Sequence, residues 1–257
     1  MLRPFWCFLC LILVLTGCAT APTKEKKEEA LRVRGLAEAF LAEKKYVPAY
    51  RELLKAQEMD PTDAHVYFDL GVFFYEKKKY LSSLENYQKA LTLKPDFATA
   101  RNNLGVVYME LKEWDKAIET LSPITEDYLY ATPHFPHFLI GQAYYNKQDF
   151  SQAEEHFRES LELQPNFAYA HHWLGKTYLA VGKPEKAVVA LEKALALTPG
   201  AVFLLDLGRA YAATGNLKKA EESLGQALCL ATDEALKKEI LEEQQLLKLK
   251  KRSPRNR

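Results

Sequence analysis

The apolar and polar positions of this chain follow one long period after residue 30. Glycines recur at 71, 105, 141, 175 and 208, each directly after Leu or Ile and three residues before Phe or Tyr. The intervals between them are 34, 36, 34 and 33 residues. A fixed period of this length is typical of solenoid proteins, in which each period is one small unit that stacks on its neighbours. The pattern therefore predicts an array of repeats.

The frame resembles the tetratricopeptide repeat, a helix–turn–helix unit with a Leu-Gly pair, then an aromatic, a small residue, a second aromatic and a proline. The second copy fills these positions with Leu70, Gly71, Phe74, Ser83, Tyr87, Ala90 and Pro95, and the fourth with Ile140, Gly141, Tyr144, Ala153, Phe157, Ser160 and Pro165. One period before Gly71 the frame reaches Ala37, which indicates a first copy with Ala in place of Gly. We expect an all-α, right-handed superhelical solenoid of six repeats with a C-terminal capping helix.

The chain is divided accordingly. The predicted parts are a signal peptide at 1–17, a polar tether at 18–29, repeats at 30–63, 64–97, 98–133 with a two-residue insertion, 134–167, 168–200 and 201–232, and a capping helix with a basic tail at 233–257. Small residues at the eighth and twentieth repeat positions let the paired helices approach closely. Prolines end the second helices, since proline lacks an amide donor and disfavours helix in the residue before it. The cap carries Leu236, Ile240 and Leu247 at helical spacing.

The N terminus carries its own signal. The apolar run "PFWCFLCLILVL" follows a single Arg3 and is typical of a secretory signal peptide, being too short to span a bilayer. It ends in "LTGC", which resembles the lipobox of bacterial lipoproteins and implies lipid on Cys18, the thiol that accepts diacylglycerol. In that family an aspartate after the cysteine retains the product at the inner membrane. Here Ala19 follows, so the resemblance implies an outer-membrane, lipid-anchored protein that faces the periplasm.

Composition excludes several classes of function. The formal charge of +1 gives no footprint for nucleic acid, and the basic end "KLKKRSPRNR" is read as a frayed helix end. The histidine pairs His134 with His137 and His171 with His172 lack a carboxylate or thiol at zinc spacing, and His137 and His171 fall at a packing position. We therefore expect a non-enzyme with no metal, no cofactor besides the lipid, and no small-molecule substrate. Cys229 is expected to be buried.

The first helices of such repeats are expected, from the family, to line a concave surface. The inward positions would be His65, Phe68, Val72, Tyr75, Thr99, Asn102, Val106, Met109, Phe135, Phe138, Gln142, Tyr145, Tyr169, His172 and Lys176. This stripe combines aromatic and amide side chains, which suits an extended segment or an apolar helix of a protein partner. For Phe68, Phe138 and Tyr145 the alternative is packing between repeats. A clamp for a C-terminal carboxylate has only Lys176 and Arg209 in line, so it is weakly supported.

An irregular segment between the third and fourth repeats indicates a particular group of tetratricopeptide proteins. The segment "LYATPHFPHFLIG" has Leu129 in place of the usual proline and adds two residues before Pro133. It resembles the form LYxTPxxxxxxxG in the type IV pilus biogenesis lipoproteins of the PilF and PilW type, which have six repeats and assist secretin assembly. The resemblance implies a secretin or another envelope assembly subunit as partner, with membrane contact through the lipid alone. The alternative is a lipoprotein adaptor that docks peptidoglycan hydrolases or synthases.

Overall fold

The computed structural model describes residues 22–127 and 130–252, and the regular elements of this part of the chain are helices. The predicted signal peptide, Cys18 with its predicted lipid, Leu129 and the last five residues of the basic tail lie outside the described residues. Among the helices that are described, none is both long enough and apolar enough to cross a membrane. The described residues fall into two compact units that divide after Thr62.

The first unit is a helical hairpin of α1 (Lys24–Ala42) and α2 (Tyr46–Met59). The Thr23 hydroxyl accepts a hydrogen bond from the Lys26 amide at 3.3 Å and thereby caps α1. The prediction of a polar tether through residue 29 is therefore wrong from Lys24 onward. The Lys- and Glu-rich segment favours helix by its intrinsic propensity, and Lys27 lies 3.9 Å from Asp60 at the end of α2.

The second unit contains five further hairpins and a last helix. Its helices are α3 (Ala64–Glu76), α4 (Tyr80–Leu93), α5 (Ala98–Glu110), α6 (Trp114–Leu121), α7 (His134–Asn146), α8 (Phe150–Leu163), α9 (Ala168–Ala180), α10 (Pro184–Leu197), α11 (Ala201–Ala213), α12 (Leu217–Leu230) and α13 (Glu234–Arg252). Within this unit each hairpin packs on the next one along the chain. This is the all-helical tetratricopeptide architecture that the period predicts.

The second helices end where the prolines require. The helices α4, α8 and α10 each have 14 residues and end two residues before Pro95, Pro165 and Pro199. The helix α6 has 8 residues and passes into a short 3₁₀ turn at Ser122–Ile124. The residue Leu129 replaces the proline in this repeat, so the irregular sequence coincides with the shortened helix.

The turn inside each hairpin uses a left-handed residue. Lys44, Lys78, Lys112 and Gln148 have φ between 55° and 63°, and Gly182 and Gly215 take the same place in the later repeats. After α3, the Lys79 amide donates to the Phe74 carbonyl at 2.9 Å and the Lys78 amide to the Tyr75 carbonyl at 2.8 Å. This pairing satisfies carbonyls at the helix end and reverses the chain toward α4.

The repeat glycines mark the closest approach of the paired helices. A Cβ atom added at Gly71 would lie 2.5 Å from the Tyr87 ring, and one at Gly141 would lie 2.7 Å from the Phe157 ring. Both rings are buried. From Leu121 to Leu247 a continuous apolar core runs through the later hairpins, and Ile240 and Leu247 bury the apolar side of α13 against it. The last helix therefore covers the final hairpin.

We expect Gly141→Ala to lower the free energy of unfolding by about 1–3 kcal/mol, because the added methyl group overpacks the contact with Phe157. The matched control is Gly35→Ala on α1, where a Cβ meets no atom within 4 Å. That change should raise stability by about 0.5–1 kcal/mol, since alanine loses less backbone entropy in a helix. Urea unfolding followed by circular dichroism measures both. Equal effects of the two substitutions would contradict the packing assignment.

Candidate functional site

The predicted partner-binding residues lie on the first helices of four successive hairpins in the second unit. We call them the first-helix face; its members are His65, Phe68, Val72 and Tyr75 on α3, Asn102, Val106 and Met109 on α5, Phe138, Gln142 and Tyr145 on α7, and Tyr169, His172 and Lys176 on α9. Most are half-buried, whereas Tyr169 is 52% exposed. The face therefore offers partly accessible aromatic and apolar groups over several repeats.

Three members of the first-helix face are buried, which argues against the prediction that they contact a partner. Asn102 and Phe138 are 6% exposed and His172 is 4% exposed. The Phe138 ring lies 5.0 Å from the ring of Phe167 and 6.1 Å from that of Phe157, so it fills the space between helices. Packing between repeats was the alternative prediction for Phe138, and these contacts support it.

The accessible part of the face around α7 and α9 combines aromatic rings with one cation. The Tyr145 and Trp173 ring centroids are 5.2 Å apart at a steep angle, an edge-to-face arrangement. The Lys176 ammonium lies 4.1 Å from the Trp173 ring centroid and 5.4 Å from that of Tyr145. Burial and the nearby Asp206 carboxylate raise the pKa of Tyr145. The phenol therefore stays neutral, and Lys176 supplies the positive charge at this point.

A network of charged side chains connects the last hairpins. The His172 Nε2 atom lies 2.7 Å from the Asp206 carboxylate, and the Arg209 guanidinium lies 3.1 Å from the other oxygen of the same carboxylate. Arg209 also donates to Glu239 and Glu243 on α13, each at 2.7 Å. This arrangement connects α9, α11 and α13. It also leaves Arg209 paired with carboxylates, which argues against a clamp for a partner's C-terminal carboxylate.

The pKa of Asp206 is lowered by this network. Burial alone would raise it, but the hydrogen bond and charge of His172, with Lys176 and Arg209, outweigh the loss of hydration. The side chain is only 7% exposed, so solvent screens these interactions little. The carboxylate is therefore held ionised inside the stack of hairpins.

Grooves between consecutive second helices form a second surface, which was not predicted from the sequence. One groove of about 1010 Å³ lies between α8 and α10 and is lined by Leu161, His171, Val189 and Lys193 among others. A similar groove lies between α10 and α12, and Cys229 lines it. The prediction that Cys229 is buried is wrong: its thiol is exposed, because it falls on the side of α12 that turns away from the core.

The structure also corrects the prediction that no carboxylate completes a histidine cluster. His137 on α7 meets His156 and Glu159 on α8, and their ligand atoms lie within 4.8 Å of one another. Burial is the largest influence on His156 and lowers its pKa, against the opposing effect of Glu159. The prediction rested on histidines that are neighbours in the sequence. The partner of His137 lies 19 residues away and becomes visible only when the two helices are aligned as a hairpin.

Comparison with known sequence families agrees with this architecture. One family model, described as TPR repeat, matches residues 72–112 and 141–182, and two models described as tetratricopeptide repeat match residues 168–201 and 204–238. Together they cover more than half of the chain. The chain is therefore a tetratricopeptide repeat protein, a class that binds other proteins through extended surfaces of stacked repeats.

Two solved structures share this fold. The structure of PilW, described as a widely conserved type IV pilus biogenesis factor, matches with a TM-score of 0.76 and 22% identity over 83% of this chain and 99% of that one. The structure of PilF from Pseudomonas aeruginosa matches with a TM-score of 0.74 and 23% identity over 86% of this chain and all of that one. This chain has the fold of those PilF- and PilW-type proteins along nearly their whole length.

A curated relative is Superkiller protein 3 of Saccharomyces cerevisiae, which is 31% identical over 70 residues. That match covers 27% of this chain and 5% of the relative. The chain thus spans about a twentieth of that protein's length.

Proposed function

We propose that this protein is a lipid-anchored scaffold of the outer membrane that assists assembly of a type IV pilus secretin. The observation that carries the proposal is the end-to-end match in fold to PilW and PilF, in which 99% and 100% of those chains are covered. The lipobox-like "LTGC" supports the anchor. A non-enzymatic role fits a surface made of packed aromatic, apolar and amide groups.

The accessible members of the first-helix face supply the partner site in this proposal. Tyr169 and Lys176 are two helical turns apart on α9 and therefore lie on one side of that helix. Half-buried Tyr145 and Met109 extend the same face to α7 and α5. Such a row suits an extended apolar segment of an unassembled subunit, with the aromatic groups as anchors. The lipid would hold the face close to the membrane into which the secretin inserts.

Deletion of the gene is expected to abolish heat-stable secretin multimers and pilus-driven motility. Wild type should restore both. The variant Cys18→Ala should fail to restore them fully, because it removes the thiol that accepts lipid and so the anchorage of the scaffold. Secretin is followed on a non-denaturing gel, and membrane fractionation with labelled palmitate tests whether wild type carries lipid at Cys18.

Retention of secretin multimers in the deletion strain would contradict this function. If the same strain formed misshapen, lysis-prone cells, the role of an adaptor for peptidoglycan hydrolases or synthases would replace it. Absence of palmitate label with a soluble wild-type protein would contradict the anchor separately. The two parts of the proposal are thereby distinguished.

A further inference from the structure

The hairpin of α7 and α8 brings three metal-ligating side chains to one point. The Nδ1 atoms of His137 and His156 are 3.4 Å apart, and each lies 2.8 Å from the same Glu159 oxygen, Oε2. The histidine side chains are 13% and 20% exposed, and that of Glu159 is 39% exposed. The three atoms thus converge beneath the surface with an opening to solvent on the Glu159 side.

The spacing of these atoms fits a small tetrahedral cation. A Zn²⁺ ion binds imidazole nitrogen at about 2.0–2.1 Å, which places two tetrahedral nitrogen ligands about 3.3–3.4 Å from each other. The separation of the two Nδ1 atoms matches this value. The carboxylate oxygen needs to withdraw by about half an ångström to reach the same spacing, which its partly exposed side chain permits.

The surroundings hold the ligands in place. The His156 ring stacks on Tyr144 with centroids 5.5 Å apart and an interplanar angle of 9°. His137 and His156 come from opposite helices of one hairpin, and both helices are well formed over the site. Two imidazoles with one carboxylate favour zinc over magnesium or calcium, which prefer oxygen ligands.

We propose that His137, His156 and Glu159 bind one Zn²⁺ ion, with water as the fourth ligand. The ion joins α7 to α8 in the fourth repeat, directly after the irregular segment of the third. Because the ligands are contributed by two helices, the ion binds the folded hairpin and not the unfolded chain. Zinc therefore stabilises this repeat, and the proposal stands independently of the pilus function.

The test uses the full chain in detergent, without a histidine tag and stripped of metal by a chelator. Calorimetric titration with Zn²⁺ should give one saturable site per chain. At free Zn²⁺ about one hundred times the dissociation constant, the melting temperature should rise by about 5–10 °C. Magnesium at the same concentration should leave the melting temperature unchanged.

Substitutions at the proposed ligands and at one control histidine test which residues bind the ion. His156→Gln and Glu159→Gln should each weaken binding by about 100-fold or more, since even loss of an outer-shell partner costs up to that factor. The control is His171→Gln, a half-buried histidine on α9 whose Nε2 lies 2.9 Å from the Pro165 carbonyl oxygen. It should bind as wild type does. The zinc-induced shift is measured within each variant, so a change in intrinsic stability does not affect the comparison.

Three results would overturn the proposal. The first is a wild-type chain without saturable zinc binding. The second is undiminished binding in both His156→Gln and Glu159→Gln. The third is a thiolate charge-transfer band after substitution with Co²⁺, because such a band would locate the ion at the cysteines. Nitrogen and oxygen ligands should give the visible bands of a tetrahedral cobalt site and no charge-transfer band.

Discussion

Replacement of Asp206 by alanine is expected to lower the free energy of unfolding of the second unit by about 3 kcal/mol. The change leaves buried His172 without the carboxylate that faces its Nε2 at 2.7 Å and removes one of the three carboxylates around Arg209. Since this network connects α9, α11 and α13, the loss should appear in the main unfolding transition. Denaturant unfolding followed by circular dichroism measures it.

The pH dependence of the unfolding free energy tests whether the charge of Asp206 causes this loss. Asp206 has a lowered pKa in the folded state, so its contribution is present above the unfolded value of about 3.9 and is lost as the pH falls through the folded value. The stability difference between wild type and Asp206→Asn should therefore shrink on acidification below about pH 4. The control Asp115→Ala removes a carboxylate that is 84% exposed and should leave the unfolding midpoint unchanged. A wild-type midpoint for Asp206→Ala would mean that the network contributes no net stability.

The double variant Tyr169→Ala with Lys176→Ala is expected to weaken binding of the unassembled secretin subunit by about 100-fold and to abolish heat-stable multimers. Tyr169 is the most exposed aromatic of the first-helix face, and Lys176 carries its charge. Both are accessible, so the circular-dichroism spectrum should not change. Phe138→Ala is not suitable for this purpose, because Phe138 is buried and its loss would damage the fold.

The matched control lies on the other helix of the same repeat. Val189→Ala with Lys193→Ala removes an exposed apolar group and a lysine from the groove between α8 and α10. We expect it to retain binding and multimers. If this control loses them while the Tyr169 and Lys176 variant keeps them, the partner binds the groove between second helices. Full activity of both variants would exclude both surfaces as the secretin site.

Much of the fold could be predicted from the sequence because the decisive contacts are local and repeated. A glycine such as Gly141 meets Phe157 sixteen residues later in the same hairpin, so one repeat suffices to specify the contact. A proline ends a second helix because it disfavours helix in the residue before it, and this can be read from a single position of the sequence. The early start of α1 was missed, because a mixed run of Lys and Glu is equally compatible with a solvated tether and with a helix.

The site was harder to predict, because it depends on the direction of individual side chains. Phe138 is the fifth residue of its repeat and Tyr169 the second of the next one, and one is buried whereas the other is half exposed. The pair His172 and Asp206 lies 34 residues apart, close to one period, and could have been found by comparing equivalent positions of adjacent repeats. The cluster of His137 and His156 required the alignment of two helices within a hairpin.

The exposed Cys229 makes the molecule readily observable by chemical labelling. Its sulfur is the one thiol among residues 22–127 and 130–252, and it lines the groove between α10 and α12. If the leader is removed and Cys18 carries lipid, a maleimide reagent would modify this side chain alone. A fluorophore introduced there would sense the polarity of that groove in the otherwise unaltered sequence.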